Sequence, residues 1–480
     1  MISLTLAFLL LLNLTTGVKT TGSDGTDFVF TFTYPGPNVN VKPLSRVTET
    51  SVIVMPTFKY TSCSIQYTSV ATEETIFEDN ILIPWGSATE INLEYDDSLH
   101  IITMEQQNAG SLLGDETRVF LNCEDKVKVL AKIADPITGL GEMWLVPTQT
   151  MAAKNFIFSM PPSIYNQMAY FSVLPIETVL YITVNVQTFY NGILFKNETL
   201  NYDQRWGNGA QLTYYSQPDH PANATFIVTT DRLVMIQATS PLATSTSFKQ
   251  NSKVPLHEDY VVSFIVPSVV NQCGSDDSNL RLISSDFTSQ VFLSPTVVNP
   301  GCDKGMHTTL YSPRFNETGK SFQFGDLGYS NLSITDNFNA FITNSAIQPT
   351  YRFGGISLVS QFFGHIYHYL PSTAEYLNQP EEPVPFFTLS SQCSIEMFAE
   401  ALPNFDDILI DTYPISADYT SKARYLTINH KQYVRLEVPI IGYAQHHIAT
   451  QRDFTASVIC KQAYGPMNAI GYTIGYNFRK

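Results

Sequence analysis

The sequence has few long apolar runs and few charges. After the segment Leu4–Leu12, no stretch reaches the roughly 18 consecutive apolar residues that a membrane helix needs. The final residues, 472–480, are polar and do not form the apolar tail of a lipid-anchor signal. Only 15% of the residues are charged. These absences predict a chain without a membrane span.

Positive charge is especially scarce. The 480 residues contain 27 Lys and Arg against 43 Asp and Glu, so the formal net charge is −16. Nucleic-acid binding requires clustered basic side chains that neutralise phosphates. We therefore expect no nucleic-acid partner, and the acidic balance favours solubility.

Recognisable catalytic motifs are also missing. The sequence has no G-x-S-x-G, H-E-x-x-H, P-loop, G-x-G-x-x-G or C-x-x-C pattern. We therefore predict no enzyme activity, no cofactor, no catalytic residue and no metal site. His365 and His368 have a metal-like spacing, but residues three apart on a strand face opposite sides. The neighbours His446 and His447 diverge on a strand for the same reason.

Three acidic clusters leave an alternative open. They are residues 94–97, 276–277 and 406–411, and all contain the oxygen ligands that calcium prefers. None has the spacing of an EF-hand loop, so we interpret them as solvated turns, with loop-bound calcium as the alternative. Two convergent carboxylates would instead indicate a carbohydrate hydrolase.

Several features indicate export. The apolar segment Leu4–Leu12 suits a signal peptide of residues 1–17, with Thr15 and Gly17 at the −3 and −1 positions before Val18. Six cysteines, an even number, predict disulfides in a secreted chain. Their order suggests three neighbouring pairs, although 15 pairings are open: Cys63 with Cys123, Cys273 with Cys302, and Cys393 with Cys460. Four N-glycosylation sequons follow the signal segment, at Asn197, Asn223, Asn316 and Asn331.

The chain reads as all-β with internal repeats. Apolar and polar residues alternate with period two in the segment 28–34, and helical periodicity is scarce. Asp125-Lys-Val resembles Asp231-Arg-Leu, and Pro162-Ser resembles Pro267-Ser, at offsets of 106 and 105 residues. Looser copies follow Gly354, Pro371 and Ser457. We predict four disulfide-stabilised, β-sandwich-like units of about 105 residues, with these bounds: 18–162, 163–267, 268–371 and 372–480.

Three segments resemble the N-terminal domain family of IgGFc-binding proteins. They are GTDFVFTF from Gly25, DRLVMIQATSP from Asp231 and EDYVVSFIVPS from Glu258. The likeness covers about residues 25–300, and therefore most of the first three units. It implies an extracellular role at mucus or cell surfaces, and it brings no catalytic residues with it.

Together these features predict a secreted glycoprotein with a binding or adhesion role in mucosal or epithelial surface defence. The partner would be an unidentified extracellular protein or glycan. A structural matrix or coat component that self-associates is the alternative, and a carbohydrate hydrolase is the second alternative. All four sequons lie in units two and three, so units one and four are the expected contact surfaces.

Overall fold

The chain folds almost entirely into β-strands, as the alternating β-branched and aromatic residues predict. This is a computed structural model. It describes the following residues: 22–35, 49–69, 71–94, 99–102, 110–135, 139–161, 163, 169–177, 181–203, 208–216, 224–244, 259–268, 279–294, 306–324, 330–343, 349–358, 361–378, 382–390, 392–402, 404–465 and 468–478. Within them, no helix is both long enough and apolar enough to cross a membrane.

The strands form four groups along the chain, which we call modules 1 to 4. Module 1 contains β1 (Gly25–Pro35), β2 (Glu49–Pro56), β3 (Thr61–Thr68), β4 (Thr75–Ile83), β5 (Thr89–Leu93), β6 (Leu99–Ile102), β7 (Gly110–Asp115), β8 (Arg118–Asp135) and β9 (Leu140–Val146). Module 2 contains β10 (Ala153–Phe158), β11 (Tyr170–Pro175), β12 (Ile182–Tyr190), β13 (Ile193–Tyr202), β14 (Asn208–Tyr215), β15 (Ala224–Ala243) and β16 (Asp259–Ile265).

The second half of the chain continues in the same way. Module 3 contains β17 (Arg281–Ile283), β18 (Gln290–Leu293), β19 (Met306–Ser312), β20 (Asn316–Phe324), β21 (Ser330–Ser333), β22 (Asn339–Thr343), β23 (Thr350–Leu358) and β24 (Gln361–Tyr369). Module 4 contains β25 (Val384–Leu389), β26 (Cys393–Glu400), β27 (Leu409–Ile410), β28 (Tyr413–Pro414), the helical turn α1 (Ala417–Thr420), β29 (Arg424–Ile428), β30 (Lys431–Ile440), β31 (Tyr443–Ala449), β32 (Phe454–Lys461) and β33 (Ala469–Thr473).

One antiparallel pairing scheme occurs in all four modules. In module 2, the first half of the long strand β15 pairs with β10 and β12, and its second half pairs with β11 and β16. Strand β13 then pairs with β12, and β14 with β11. Module 1 repeats this order around β8. In modules 3 and 4 the long strand is split in two, as β22 with β23 and as β31 with β32.

The modules differ in a few added strands. In module 1, β6 lies parallel to β1, and β7 pairs with β14 of module 2. In module 4, β29 pairs with β30. Strand β26 pairs with both β30 and β32 of the same module.

The structure places the Asp125 and Asp231 segments of the predicted repeat on the long strands β8 and β15. Asp125 and Asp231 lie at the exposed or half-exposed middle of β8 and β15, and the strands become buried core from Val127 and Val234 onward. Pro162 lies outside the described residues, and Pro267 follows β16, the last strand of module 2. Strand β10, which the predicted bound at 162 assigns to the first unit, pairs with β15 of module 2. The fourfold sequence repeat itself remains a prediction.

The last strands of the modules meet around a common centre. Strand β9 contacts β16 and β33, and β24 contacts the same two strands, so the four modules form a closed ring. These strands are largely buried on both faces. A side chain ties three modules together here: Asn468 Nδ2 donates to Gly141 O at 3.2 Å and to Asp259 Oδ2 at 2.9 Å.

Two disulfides join neighbouring strands directly. Cys63 of β3 is bonded to Cys123 of β8, and Cys393 of β26 is bonded to Cys460 of β32. Both disulfides join cysteines that are neighbours in sequence order, as predicted. They occupy different places in the pairing scheme, because Cys123 lies on the first half of its long strand and Cys460 on the second.

Candidate functional site

The glycosylation and disulfide residues predicted from the sequence are only partly described. Asn197 is exposed on β13, where its Oδ1 accepts a hydrogen bond from Asn185. Asn316 begins β20 and Asn331 lies on β21. Residues Asn223, Cys273 and Cys302 lie outside the described residues. Glycan attachment therefore remains a prediction.

The two candidate metal-binding histidines are buried and separately engaged. His365 stacks on Phe353 with a centroid distance of 5.4 Å, while His368 Nδ1 lies 3.0 Å from Tyr369 O. Burial lowers the pKa of His368 to about 3, and the nearby Arg352 lowers it further against weaker opposing contributions. Within the described ranges, no group of three His, Cys, Asp or Glu residues is arranged to hold a metal ion.

The described acidic residues that were candidate calcium ligands are held by protein groups. Asp407 forms a bidentate pair with Arg452, at 3.0 Å from Oδ2 to Nε and 2.5 Å from Oδ1 to Nη2. Asp411 accepts from the backbone N–H of His447 at 2.8 Å, and its Oδ2 lies 2.6 Å from His446 Nδ1. The clusters at 95–97 and 276–277 lie outside the described residues.

Exposed and half-exposed aromatic, carboxylate, amide and imidazole side chains lie together where module 1 contacts module 4. Strand β31 alternates its side chains, so Tyr443, Gln445 and His447 share its outward face. Module 1 contributes Trp85, from the turn between β4 and β5, and Glu90 from β5. We call these five residues the seam site.

A hydrogen-bond network fixes one end of the seam site. Lys132 Nζ lies 2.5 Å from Glu90 Oε1, and the Tyr443 hydroxyl donates to Glu90 Oε2 at 2.5 Å. Ser51 also donates to Glu90 Oε1, at 2.7 Å. Burial raises the pKa of Glu90, but the hydrogen bonds from Lys132, Tyr443 and Ser51 outweigh it, so the net pKa is lowered. Glu90 is therefore an ionised, oriented acceptor.

The other end pairs an indole with an imidazole. The ring centroids of Trp85 and His447 lie 5.8 Å apart, and Gln445 Nε2 lies 2.9 Å from His447 Nε2. Burial lowers the pKa of His447, although the charge of Asp411 opposes this. His447 is therefore neutral at pH 7. Hydrogen bonds from His446 and His447 lower the pKa of Asp411 against the effect of its burial.

Beneath the seam, an Asp–His–Thr chain has the order of a hydrolase triad. His446 bridges Asp411 Oδ2 at 2.6 Å and Thr388 Oγ1 at 3.1 Å. Thr388 is fully buried, however, and its hydroxyl donates to Gly442 O at 2.7 Å. A buried hydroxyl that is already donating is not presented to a substrate. The hydrogen bonds between Asp411, His446 and Thr388 orient β31 and the hairpin that carries Asp411.

Aromatic side chains remain exposed at the seam. Trp85 is 46% exposed and Tyr443 is 52% exposed. The turn between β2 and β3 adds Phe58 and Tyr60, which are also exposed. The pairing of Thr61 with Ile83 places this turn beside the one that carries Trp85. Large exposed aromatic groups grouped together are typical of interaction surfaces.

This arrangement is suited to binding. Glycosidase chemistry needs one carboxylic acid that stays protonated, which requires a raised pKa. Glu90 and Asp411 both have lowered pKa values. The seam site instead combines flat apolar faces with oriented hydrogen-bonding groups.

Sequence reasoning singled out Asp411, His446 and His447, but as metal candidates or surface residues. It missed Trp85 and Glu90. Glu90 and Tyr443 are 353 residues apart in the chain, and no local pattern brings them together. The outward alternation of β31 is the one signal that a search for half-buried strands would detect.

Comparison with known proteins adds little. No family model matches the chain, and no curated protein matches it. Among solved structures, the pilus adhesin SpaC from Lactobacillus rhamnosus GG is 10% identical with a TM-score of 0.11, over 90% of this chain and 54% of that chain. A 1.5-MDa bacterial ice-binding adhesin is 8% identical with a TM-score of 0.08, over 68% of this chain and 90% of that one. This chain therefore spans about half the length of SpaC. Such low scores carry no argument, and the resemblance to IgGFc-binding proteins remains a prediction.

Proposed function

We propose that the protein is a secreted, glycosylated recognition protein that binds carbohydrate chains at the seam site. The observation that carries the proposal is the pair of exposed rings, Trp85 and Tyr443, beside the oriented and ionised carboxylate of Glu90. Secretion is supported by the two disulfides, which persist in oxidising compartments.

The dimensions of the seam suit a short sugar chain. Alternate residues on a strand lie about 6.7 Å apart, so the row Tyr443, Gln445, His447 is about 13 Å long. That length matches two or three linked hexoses. Aromatic faces pack against the C–H faces of sugar rings, while carboxylate, amide and imidazole groups accept or donate to hydroxyls.

The test is binding of the secreted protein to a glycan array, followed by titration calorimetry with the best oligosaccharide. We expect saturable binding that Trp85→Ala and Tyr443→Ala each weaken about tenfold or more, because each removes a stacking face. EDTA should have no effect, since calcium is not part of the proposal.

The matched control is Tyr181→Ala in module 2, which removes a more exposed aromatic side chain far along the chain from the seam. It should leave binding unchanged. Wild-type affinity in the two seam variants, or loss in the Tyr181 variant alone, would contradict the proposal. Calcium-dependent binding would indicate instead that the acidic clusters hold calcium.

A structural component that self-associates is the second candidate, and the hairpin between β12 and β13 favours it. Ile193, Leu194 and Phe195 are all exposed near its tip, and β13 pairs only with β12 among the described strands. An apolar edge of this kind promotes association with a second copy. Concentration-dependent sedimentation that Leu194→Asp abolishes would support this function, and a monomer at all concentrations would exclude it.

A further inference from the structure

A cavity opens where the connections between modules meet, away from the seam. Its volume is about 200 Å³. It is lined by the segment 150–153 at the start of module 2, Val266 and Pro267 after β16, Tyr369 at the end of β24, Glu375 after it, and Asn477 with Phe478. Junctions between packed units are common places for small-molecule sites.

Most of the wall is apolar. Met151, Ala153, Val266, Pro267 and Phe478 supply hydrocarbon or aromatic surface. A ligand here gains from burial of its own apolar atoms. A cavity of this volume is smaller than the sites of about 300–1,000 Å³ that hold drug-sized ligands, which favours a small ligand.

The polar groups of the cavity are mainly acceptors. Glu375 is only 4% exposed, its Oε1 accepts from the Tyr369 hydroxyl at 2.6 Å, and its Oε2 accepts from both Ser372 N and Ser372 Oγ at 2.8 Å. Within the part of the chain that the structure describes, no Lys, Arg or His nitrogen forms an ion pair with Glu375. Oε1 accepts one hydrogen bond and retains a lone pair for another donor.

Asn477 supplies a second acceptor. It is 2% exposed, and its backbone N–H donates to Glu375 O at 2.9 Å. Its side-chain Nδ2 donates to Tyr376 O, whereas its Oδ1 has no hydrogen-bond partner among the described atoms. A buried carbonyl without a donor is costly, so a donor from a ligand would stabilise this arrangement.

We propose that this cavity binds a small amphiphilic amine, with its ammonium group between Glu375 and Asn477 Oδ1 and its hydrocarbon against Met151 and Phe478. An ammonium has three donors and no acceptor, which complements two acceptors. Hydrogen bonds that involve ionised groups are the strong ones. An alkyl carboxylate would meet the like charge of Glu375. This proposal does not depend on the seam site.

The experiment is titration calorimetry of the full-length protein with three probes of equal chain length: n-hexylammonium, 1-hexanol and hexanoate. We expect saturable binding of n-hexylammonium, at least about tenfold tighter than that of 1-hexanol, and no binding of hexanoate. Equal binding of the ammonium and carboxylate probes, or no saturation by the ammonium, would overturn the proposal.

Two variants locate the site. Glu375→Gln should remove the preference for the ammonium over the alcohol while leaving 1-hexanol binding within about twofold. Ala153→Leu fills the cavity and should abolish binding of both probes. Glu375 also caps the turn that begins at Ser372, so Ala153→Leu decides the matter if the Glu375 variant fails to fold. Unchanged hexylammonium binding in a folded Ala153→Leu protein would refute the assignment.

Discussion

The buried carboxylate of Glu396 holds modules 3 and 4 together through two guanidinium groups. Glu396 Oε2 lies 2.6 Å from Arg352 Nη1 of β23, and Oε1 lies 2.7 Å from Arg435 Nε of β30. Ser284 also donates to Oε1. Glu396 is fully buried. Its replacement by Gln would leave Arg352 buried and without its carboxylate.

The expected loss of stability in the Glu396→Gln variant follows from the pKa of Glu396. Burial alone raises the pKa of Glu396, but the charges of Arg352 and Arg435, with hydrogen bonds from Ser284 and Arg435, lower it from 4.5 to about 2. That lowering corresponds to about 3 kcal/mol in favour of the ionised folded state. Removing one partner of a buried ion pair typically costs about 3–5 kcal/mol. We therefore expect Glu396→Gln to lower the unfolding free energy by about 3 kcal/mol at pH 7.

The pH dependence has a definite sign. Because the folded pKa is depressed, the stabilisation is present above the unfolded pKa of about 4.5 and is lost as the pH falls toward about 2. The difference between wild type and Glu396→Gln should therefore shrink in acid. Urea unfolding at pH 7 and pH 3, followed by tryptophan fluorescence and circular dichroism, measures it.

Glu437→Gln is the matched control. Glu437 also pairs with Arg435, at 3.3 Å, but its side chain is 35% exposed. Exposed pairs contribute about 1 kcal/mol or less, so this variant should lose little. A loss below about 1 kcal/mol for Glu396→Gln, or a loss that does not shrink in acid, would refute the reasoning. The double variant Arg352→Met with Glu396→Met should lose less than the sum of its single variants.

Two further predictions concern stability. The disulfides Cys63–Cys123 and Cys393–Cys460 close loops of 60 and 67 residues. Replacing either pair by Ala should therefore lower the unfolding free energy by a similar amount, about 4 kcal/mol in the chain-entropy treatment. A large difference between the two losses in urea unfolding would contradict this prediction. Burial, and then the charge of Asp259, raise the pKa of Glu142 well above its ordinary value. Its contribution to stability is therefore lost as the pH rises above about 4.5, and Glu142→Gln should gain thermal stability over wild type from pH 5 to pH 8; an unchanged difference would contradict the assignment.

Local chemistry determined the strands and their cores. The alternation in 28–34 predicts β1, although the described residues of that strand are buried on both faces except near its start. The apolar residues after Asp125 and Asp231 predict the buried halves of β8 and β15, as observed. The order of the cysteines suggested both observed disulfides, because neighbours in sequence are also neighbours in the sheets.

Pairing between strands that are distant in sequence decided how the strands group into modules. Strand β10 joins module 2 although the Pro-Ser pattern placed it in the first unit, because hydrogen-bonded register with β15 is not visible in local composition. Local composition likewise does not reveal that each long strand pairs with two sets of neighbouring strands. Nor does it reveal that β7 pairs with β14 and so extends the sheet of module 2.

The sequence by itself determined an acidic, β-rich chain with cysteines in neighbouring pairs, since composition, alternation and spacing are local properties. Only the tertiary structure decided that the four last strands close a ring. That closure brings Glu90 to Tyr443 across 353 residues and gathers the cavity around Glu375 and Asn477 from separate connections. Both sites consist of side chains far apart in the chain, and packing between modules is the physical cause that unites them.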